Sequence, residues 1–169
     1  ISMDRLNEIH ELTDEEPQDK VFVQELPQDQ SINIQNLSFK YPGAGNESVL
    51  KNINLTFPAG KTTAIVGMSG SGKTTLLKLL LGFYEPEKGD IKIGHTDLFN
   101  IRPKFWRMQC GVVMQDGFIF SDTIANNIAV GDDYPNPAKL NEAVKIANIS
   151  DFIQSLPLGL QTKIGAEGN

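Results

Sequence analysis

The segment from Gly67 to Thr75 has the residue types and the spacing of a phosphate-binding loop. It reads Gly67-Met68-Ser69-Gly70-Ser71-Gly72-Lys73-Thr74-Thr75, which satisfies the pattern G-x-x-x-x-G-K-[ST]. Glycines allow the backbone to curl so that successive N–H groups point inward, and the start of a following helix adds positive partial charge. Lys73 can neutralise the β- and γ-phosphates of a nucleotide, and the Thr74 hydroxyl can ligate Mg²⁺. The segment therefore predicts a site for a nucleotide with its magnesium ion.

Such a motif is informative when it connects a strand to a helix, and the flanking residues predict both. The run Thr62–Val66 is short, apolar and partly β-branched, which favours a strand. The leucine-rich segment from Lys73 to Leu81 predicts a helix, with Gly82 as its C-cap. The glycine loop thus lies in the strand-loop-helix context that gives the motif its meaning.

The rest of the chain predicts further elements of an α/β fold. Apolar and polar residues alternate in two stretches separated by the turn 42–46, which predicts a small antiparallel sheet. The apolar positions of this sheet are Ile32, Ile34, Leu37 and Phe39, then Ile53, Leu55 and Phe57. Further strands are predicted over Asp90–Ile93 and Gly111–Met114, and helices over Pro103–Met108, after Asn136 with Pro137 first, and after Ser150 as N-cap.

Composition bounds the class of protein. The 169 residues are 40% hydrophobic and include a single cysteine, Cys110, so the chain can bury a core without a disulfide framework. The longest strongly apolar stretch, Leu76–Phe83, is too short to cross a bilayer. The net charge of -6 comes from residues 1–30, which carry nine acids and two bases, whereas the remainder has a net charge of +1. This body lacks the basic excess of a nucleic-acid binder.

The first 30 residues differ from the rest in pattern as well as in charge. Apolar residues recur there every three positions and predict the tail of a helix that Pro17 stops. These residues are Met3, Leu6, Ile9 and Leu12. We interpret residues 1–30 as a linker, and a first residue other than Met favours a piece of a longer protein.

The motifs together resemble the nucleotide-binding domain of ABC transporters, particularly exporters whose membrane and ATPase parts share one chain. The fuller family pattern, G-x-S-G-x-G-K-[ST]-[ST], is met from Gly67 to Thr75. Phe39-Lys40-Tyr41-Pro42 resembles the A-loop of this family, which implies that the Tyr41 ring stacks on adenine. The stretch Val112–Ile128 is similar to the Q-loop and the segment after it, which implies that Gln115 reaches Mg²⁺ and the attacking water.

The resemblance implies a full set of cofactors, domains and partners. It implies a P-loop NTPase core of the ABC type, with a small N-terminal antiparallel β-subdomain and the beginning of the helical subdomain from about residue 116. Residues 1–30 would follow an upstream transmembrane domain, and 31–169 would form the first part of an incomplete ATP-binding domain. ATP and Mg²⁺ would be the cofactors. The ATP-binding residues would be Tyr41, Gly67, Ser69, Gly70, Ser71, Gly72, Lys73, Thr74, Thr75 and Gln115, of which Thr74 and Gln115 would also hold the metal.

By the same resemblance, the general base, the signature motif and the Walker B strand are expected beyond Asn169, so the isolated chain should bind ATP without hydrolysing it. A second nucleotide-binding domain, with a homodimer favoured, and the transmembrane domain, contacted through the segment after Gln115, would be the partners. The transported substrate and nucleic acid would not bind this domain. The parent would lie at the cytoplasmic face of the cell membrane. Residues 102–133 resemble exporters with an attached peptidase domain that secrete peptides such as bacteriocins.

Two other classes of P-loop protein remain as alternatives. The first is the N-terminal half of a chromosome-maintenance or DNA-repair ATPase head. Two observations count against it: no heptad pattern of a coiled coil follows, and Gln115 comes only 42 residues after Lys73. The second is a small-molecule kinase, which gives no reason for Tyr41 or for the segment Thr123-Ile124 to Asn127-Ile128. Both would keep the phosphate site and change its use.

Overall fold

The computed structural model describes residues 14–43, 45, 47–115, 117–132 and 134–165. The chain divides into two compact units, residues 1–111 and 112–169. The helix predicted over Met3 to Leu12 lies outside the described residues. The predicted domain boundaries, after residue 30 and at about 116, stay predictions.

A four-stranded antiparallel sheet forms the first unit's framework, as the alternating apolar pattern predicts. Strand β1 (Ile32–Phe39) pairs with β2 (Leu50–Phe57) on one side and with β3 (Lys88–Ile93) on the other, and β4 (Thr96–Asp97) pairs antiparallel with β3. Ile34 is opposite Leu55 on β2 and Ile91 on β3. The strand order β2-β1-β3-β4 therefore places β1 centrally, where its apolar side chains can be buried.

Helix α1 (Lys73–Leu80) supplies the other half of this core. Leu76 and Leu79 are buried in the same cluster as Ile34, Leu37 and other apolar residues of the sheet. The predicted C-cap is wrong by one residue, because α1 ends at Leu80 with Leu81 as its C-cap. Gly82 follows with φ +72°, and its N–H donates to the Leu79 carbonyl, while the Phe83 N–H donates to the Lys78 carbonyl. Burial of Leu76 and Leu79 thus packs α1 against the sheet.

The predicted helix over Pro103–Met108 is confirmed as α2, and it is fastened to α1. A short 3₁₀ turn, Leu98–Asn100, precedes it. The buried Trp106 indole Nε1–H donates to the Leu80 carbonyl at 2.8 Å, which satisfies one of the carbonyls at the end of α1.

Residues 14–24, which we call the leading segment, pack onto this α2 region. The Val23 N–H donates to the Asn100 carbonyl at 2.9 Å, and the Arg102 N–H donates to the Val23 carbonyl at 2.9 Å. The Glu16 carboxylate accepts hydrogen bonds from Arg102 Nε at 2.8 Å and from the Lys104 N–H at 3.0 Å. Val23 of the leading segment is thus paired with the backbone on both sides of Ile101.

Two predicted strands are wrong. The structure assigns no strand to Thr62–Val66 or to Gly111–Met114, and no described residue pairs with either run. Ile65 is half-buried against the core, but other apolar side chains of the two runs are exposed, to 88% for Val66 and 100% for Val113. A strand requires a hydrogen-bonding neighbour as well as an apolar sequence, and the described part of the chain provides none.

The second unit is mostly helical, with one small sheet. Strands β5 (Asp122–Thr123) and β6 (Lys163–Ile164) pair antiparallel. Its helices are α3 (Ile124–Ile128), α4 (Pro137–Ile146) and α5 (Ser150–Ser155), with a 3₁₀ turn at Gly159–Gln161. Ile124, Val144 and Ile153 form their buried cluster.

The capping predictions for this unit have different outcomes. Asn136 is confirmed as the N-cap of α4, since its Oδ1 accepts from the Ala138 N–H at 2.9 Å. The prediction that Ser150 is the N-cap of α5 is wrong by one residue, because Ile149 is the N-cap and Ser150 is the first residue of the helix. Across the described ranges, no helix combines the length and the apolar character needed to traverse a lipid bilayer.

Candidate phosphate-binding site

The glycine loop lies immediately before α1 and has a conformation that depends on its glycines. Gly72 is the N-cap of α1 with φ +88°, a left-handed conformation that other residues rarely adopt. A Cβ atom there would lie 2.6 Å from Leu50 Cδ2, and one at Gly67 would lie 2.7 Å from Ser71 Oγ. The loop backbone is therefore curled closely against β2 and against itself, in a cradle that side chains would fill.

The Lys73 side chain folds back over this loop. Its Nζ donates to the carbonyl of Met68 at 2.7 Å and to that of Gly67 at 2.9 Å, and it lies 3.3 Å from Ser71 Oγ. The first turn of α1 contains no acidic residue, so no carboxylate there offsets the positive partial charge at the helix start. The loop, the ammonium group and the helix start together form a concentration of positive charge suited to an anion.

The hydroxyl residues of the motif divide between solvent and core. Ser69, Ser71 and Thr74 are exposed, whereas Thr75 is only 6% exposed. The Thr74 hydroxyl is therefore accessible at the first turn of α1, where a metal ion beside a bound phosphate could meet it. Thr75 faces the protein interior instead.

Tyr41 contacts the helix that begins at the loop. Its hydroxyl shares a hydrogen bond with Thr75 Oγ1 at 3.0 Å, although the two residues are 34 positions apart. The ring meets Phe39 and Tyr84 edge-on, with centroids 5.1 and 5.3 Å away, and the Lys78 ammonium lies 5.9 Å from its centroid. The structure thus brings together the predicted loop and the predicted aromatic residue.

Gln115 takes no part in the hydrogen bonds and ring contacts that link Lys73 and Tyr41 to the loop and α1. It is exposed and lies in the second unit, whereas the loop and Tyr41 lie in the first. Its neighbour Asp116 is outside the described residues. The role of Gln115 at the metal therefore stays a prediction.

Sequence reasoning missed the surroundings of Tyr41. Tyr84 and Lys78 contact its ring, and neither belongs to a motif. Tyr84 lies two residues after Gly82, so the sequence indicates only that it must be near the end of α1. The contact itself depends on how α1 packs against β1, which no spacing in the sequence specifies.

A cavity of about 420 Å³ borders the loop. Its lining residues in the first unit come from β2, from residues 65–67 and from the start of α1. They are Leu50, Asn52, Ile53, Asn54, Leu55, Ile65, Val66, Gly67, Ser71, Gly72, Lys73 and Leu76. None of these described residues is a carboxylate, so this side of the loop offers no general base.

Comparison with known proteins decides the family. The family model described as ABC transporter matches residues 50–165, which include the glycine loop, α1 and Gln115. The chain belongs to the ABC transporter family.

Curated members of the ABC transporter family align with most of this chain. ABC transporter B family member 13 of Arabidopsis thaliana is 42% identical over 81% of the chain and 11% of its own length. The putative multidrug export ATP-binding/permease protein YgaD of Bacillus subtilis (strain 168) is 40% identical over 81% of the chain and 23% of its own length. The ATP-dependent lipid A-core flippase of Alkalilimnicola ehrlichii is 42% identical, over 81% and 23% respectively. The chain spans 11% to 23% of the lengths of these relatives.

A solved structure supports the fold. A bacterial Atm1-family ABC exporter with ATP bound superposes with a TM-score of 0.83 at 35% sequence identity, over 99% of this chain and 29% of that one. The fold is therefore that of an ABC-type ATP-binding domain, of which the chain represents a part. The relatives named here are transporters, which favours neither the chromosome-maintenance nor the kinase alternative.

Proposed function

We propose that this chain is the ATP-binding part of the motor domain of an ABC exporter, in which ATP binding and hydrolysis drive transport across a membrane. One observation carries the proposal: the Lys73 ammonium lies over a curled glycine loop at the start of α1, within a chain of this family. A ring that could stack on a nucleobase, that of Tyr41, contacts the same helix.

Different residues of the site would bind different parts of the nucleotide. Loop N–H groups from Gly67 to Gly72 and the start of α1 would bind the phosphates, and Lys73 would exchange its bonds to the Gly67 and Met68 carbonyls for phosphate oxygens. Because that exchange keeps the ammonium hydrogen-bonded, it avoids leaving either state with an unpaired charge. Tyr41 would hold the adenine.

The metal fits the same end of the site. The Thr74 hydroxyl is exposed at the first turn of α1, beside the cradle that the glycines leave open, and it would ligate Mg²⁺ together with Gln115. Mg²⁺, when bound, neutralises charge that develops on the phosphate oxygens. The protein's own contribution is to position and to stabilise charge through the loop N–H groups and Lys73.

The partners and location follow from the kind of exporter. We assign a second nucleotide-binding domain as the partner, with a homodimer favoured, and a transmembrane domain of the same protein as the unit that it moves. The site would face the cytoplasm, at the membrane surface. The named relatives include a multidrug export protein and a lipid A-core flippase, so similarity at this level selects no cargo, including the peptides considered from residues 102–133.

The test is Mg-ATP binding by calorimetry with Lys73→Ala, which removes the charge that faces the phosphates. We expect a loss of at least tenfold in affinity, because a hydrogen bond to a charged group contributes about 1.5–3 kcal/mol. Lys51→Ala, which removes an exposed lysine of β2 outside the site, is the matched control and should bind as the unchanged chain does. Equal affinity in the Lys73 variant would refute the assignment of the loop.

Hydrolysis is tested separately from binding. The cavity beside the loop is lined by no carboxylate of the described residues, so we expect phosphate release by the isolated 169-residue chain to stay at background. Release that Lys73→Ala abolishes would show that a general base lies within this chain.

A further inference from the structure

We propose that Thr75 is a positioning residue for the nucleobase: its hydroxyl holds the ring of Tyr41 in place. The inference rests on the proposed ATP site and deepens it, because it assigns the last threonine of the loop motif to the base end of the nucleotide. The observation behind it is the 3.0 Å hydrogen bond between Tyr41 Oη and Thr75 Oγ1.

Thr75 is suited to act as a fixed anchor. It lies on the inner side of α1, only 6% exposed, between the exposed Thr74 and the buried Leu76. A β-branched side chain within a helix has few accessible rotamers, and burial restricts them further. Its hydroxyl therefore has a defined position relative to the phosphate loop, which ends at Gly72, three residues earlier.

Tyr41 needs such an anchor because its other ring contacts are less directional. Phe39 and Tyr84 meet the ring edge-on, at interplanar angles of 79° and 89°, and these contacts oppose tilting of the ring plane. The hydrogen bond acts at the far end of the side chain, and it fixes how far the ring lies from α1. The neighbouring rings thus orient the Tyr41 ring, and the hydrogen bond to Thr75 sets its distance from α1.

The arrangement connects the two ends of the proposed nucleotide site. Thr75 follows the phosphate-binding residues directly in α1, and through its hydroxyl the position of α1 determines the position of the ring. A cavity of about 290 Å³ lies beside the ring, lined by Tyr41, Tyr84, Gly43 and Glu85 among others, and offers room next to the aromatic group. A base would therefore meet a ring already held at a set distance from the phosphates.

The experiment compares ATP with inorganic tripolyphosphate, which has the phosphates and no base. Both are titrated by calorimetry, with Mg²⁺, into the full-length protein and its Thr75→Val and Tyr41→Phe variants. Thr75→Val keeps the shape and removes one hydroxyl, and Tyr41→Phe keeps the ring and removes the other. We expect each variant to bind ATP about 2- to 10-fold more weakly, as loss of one hydrogen bond implies, and tripolyphosphate with less than a twofold change.

Two further variants sharpen the result. The double variant should bind ATP no more weakly than either single variant, because both substitutions remove the same bond. Thr75→Ser restores a hydroxyl and should recover most of the ATP affinity. Thr56→Val, which removes an exposed threonine hydroxyl on β2, is the matched control and should change neither affinity.

The outcomes separate this inference from the proposed function. If Thr75→Val weakened tripolyphosphate as much as ATP, the hydroxyl would act on the phosphates and the positioning role would be overturned. If Thr75→Val strengthened ATP binding, the hydrogen bond between Tyr41 and Thr75 would compete with the nucleotide, and the positioning role would also be overturned. Failure of the unchanged protein to bind either ligand would instead refute the ATP site itself, and this inference with it.

Discussion

The sheet and the phosphate loop belong to the same compact unit, yet their apolar residues differ in solvent exposure. Leu37 and Ile91 of the sheet are completely buried, whereas Val66 and Met68, at the start of the loop, are 88% and 85% exposed. The loop nevertheless has its glycine conformations and its Lys73 hydrogen bonds. The difference shows that the loop's geometry arises from residues close in sequence, while burial of the run before it requires strands that the described chain does not supply.

The largest expected effect is on the free energy of unfolding, which should depend on whether the substituted residue is buried in the sheet or exposed before the loop. Ile91→Ala removes a fully buried side chain of β3 from the core cluster that the sheet shares with α1, and it should lower the free energy of unfolding by about 2–5 kcal/mol. Val66→Ala, at an 88% exposed position, should change it by no more than about 0.5 kcal/mol. Urea unfolding of the 169-residue chain, followed by circular dichroism, measures both. A similar cost for the two variants would mean that residues 62–66 are buried in solution.

The same contrast explains how much could be predicted from the sequence. Elements whose partners lie within the described chain follow from alternation and turn residues, such as β1 with β2 and the end of α1 within two residues of Gly82. The loop is predictable because glycine conformation and a lysine side chain act over a few residues. The runs 62–66 and 111–114 have equally strong apolar patterns, but pairing is a property of two segments, and a pattern describes only one.

The candidate site divides in the same way. The nine residues of the loop motif come together because they are consecutive. The Tyr41–Thr75 bond could not be predicted, since it depends on the packing of α1 against the end of β1. Gln115 is recognised by resemblance alone, because nothing in its own neighbourhood specifies what it meets.

A second prediction tests whether the loop is held by the sheet. Gly72 and Gly70 both have positive φ, so alanine at either should cost about 1–3 kcal/mol in backbone strain. Only at Gly72 would the new Cβ meet the sheet, 2.6 Å from Leu50 Cδ2, whereas at Gly70 it meets nothing within 4 Å. Gly72→Ala should therefore be the more destabilising by about 1 kcal/mol or more, by the cost of overpacking. Urea unfolding of the two variants gives the difference, and equal losses would show that β2 does not constrain the loop.

A third prediction concerns the leading segment, whose attachment lies between these extremes of burial. The N–H of Lys104 and, next, the Arg102 side chain hold the pKa of the Glu16 carboxyl below its usual value of 4.5. A carboxyl with a lowered pKa stabilises the attached state at neutral pH, and this contribution disappears as the pH falls through the lowered pKa. The segment should therefore detach below pH 4.5, and earlier at high salt, because the group is exposed.

The single tryptophan reports this detachment. Trp106 lines the same cavity, of about 320 Å³, as Glu15 and Pro17 of the leading segment, so its fluorescence should change as they leave. Glu16→Gln should diminish the acid transition and weaken the attachment at neutral pH, while the ion pair between Glu15 and Arg107 continues to hold the segment. Glu25→Gln, an exposed neighbour, is the control and should retain the transition. A transition that persists unchanged without the Glu16 carboxylate would show that another group controls the segment.

The smallest expected effect is on self-association of the isolated chain through residues 62–66, the run before the loop. Residues 62–66 pair with no described residue, and unpaired apolar segments tend to pair with a second molecule. We expect sedimentation velocity to show concentration-dependent self-association. Val66→Lys should weaken it several-fold, because lysine on an unpaired edge opposes pairing and loss of one buried valine contact amounts to about 1 kcal/mol. Val21→Lys replaces a valine of the leading segment that is 94% exposed, and it should leave association unchanged. If both lysines had the same effect, association would reflect net charge and not the run that the phosphate loop follows.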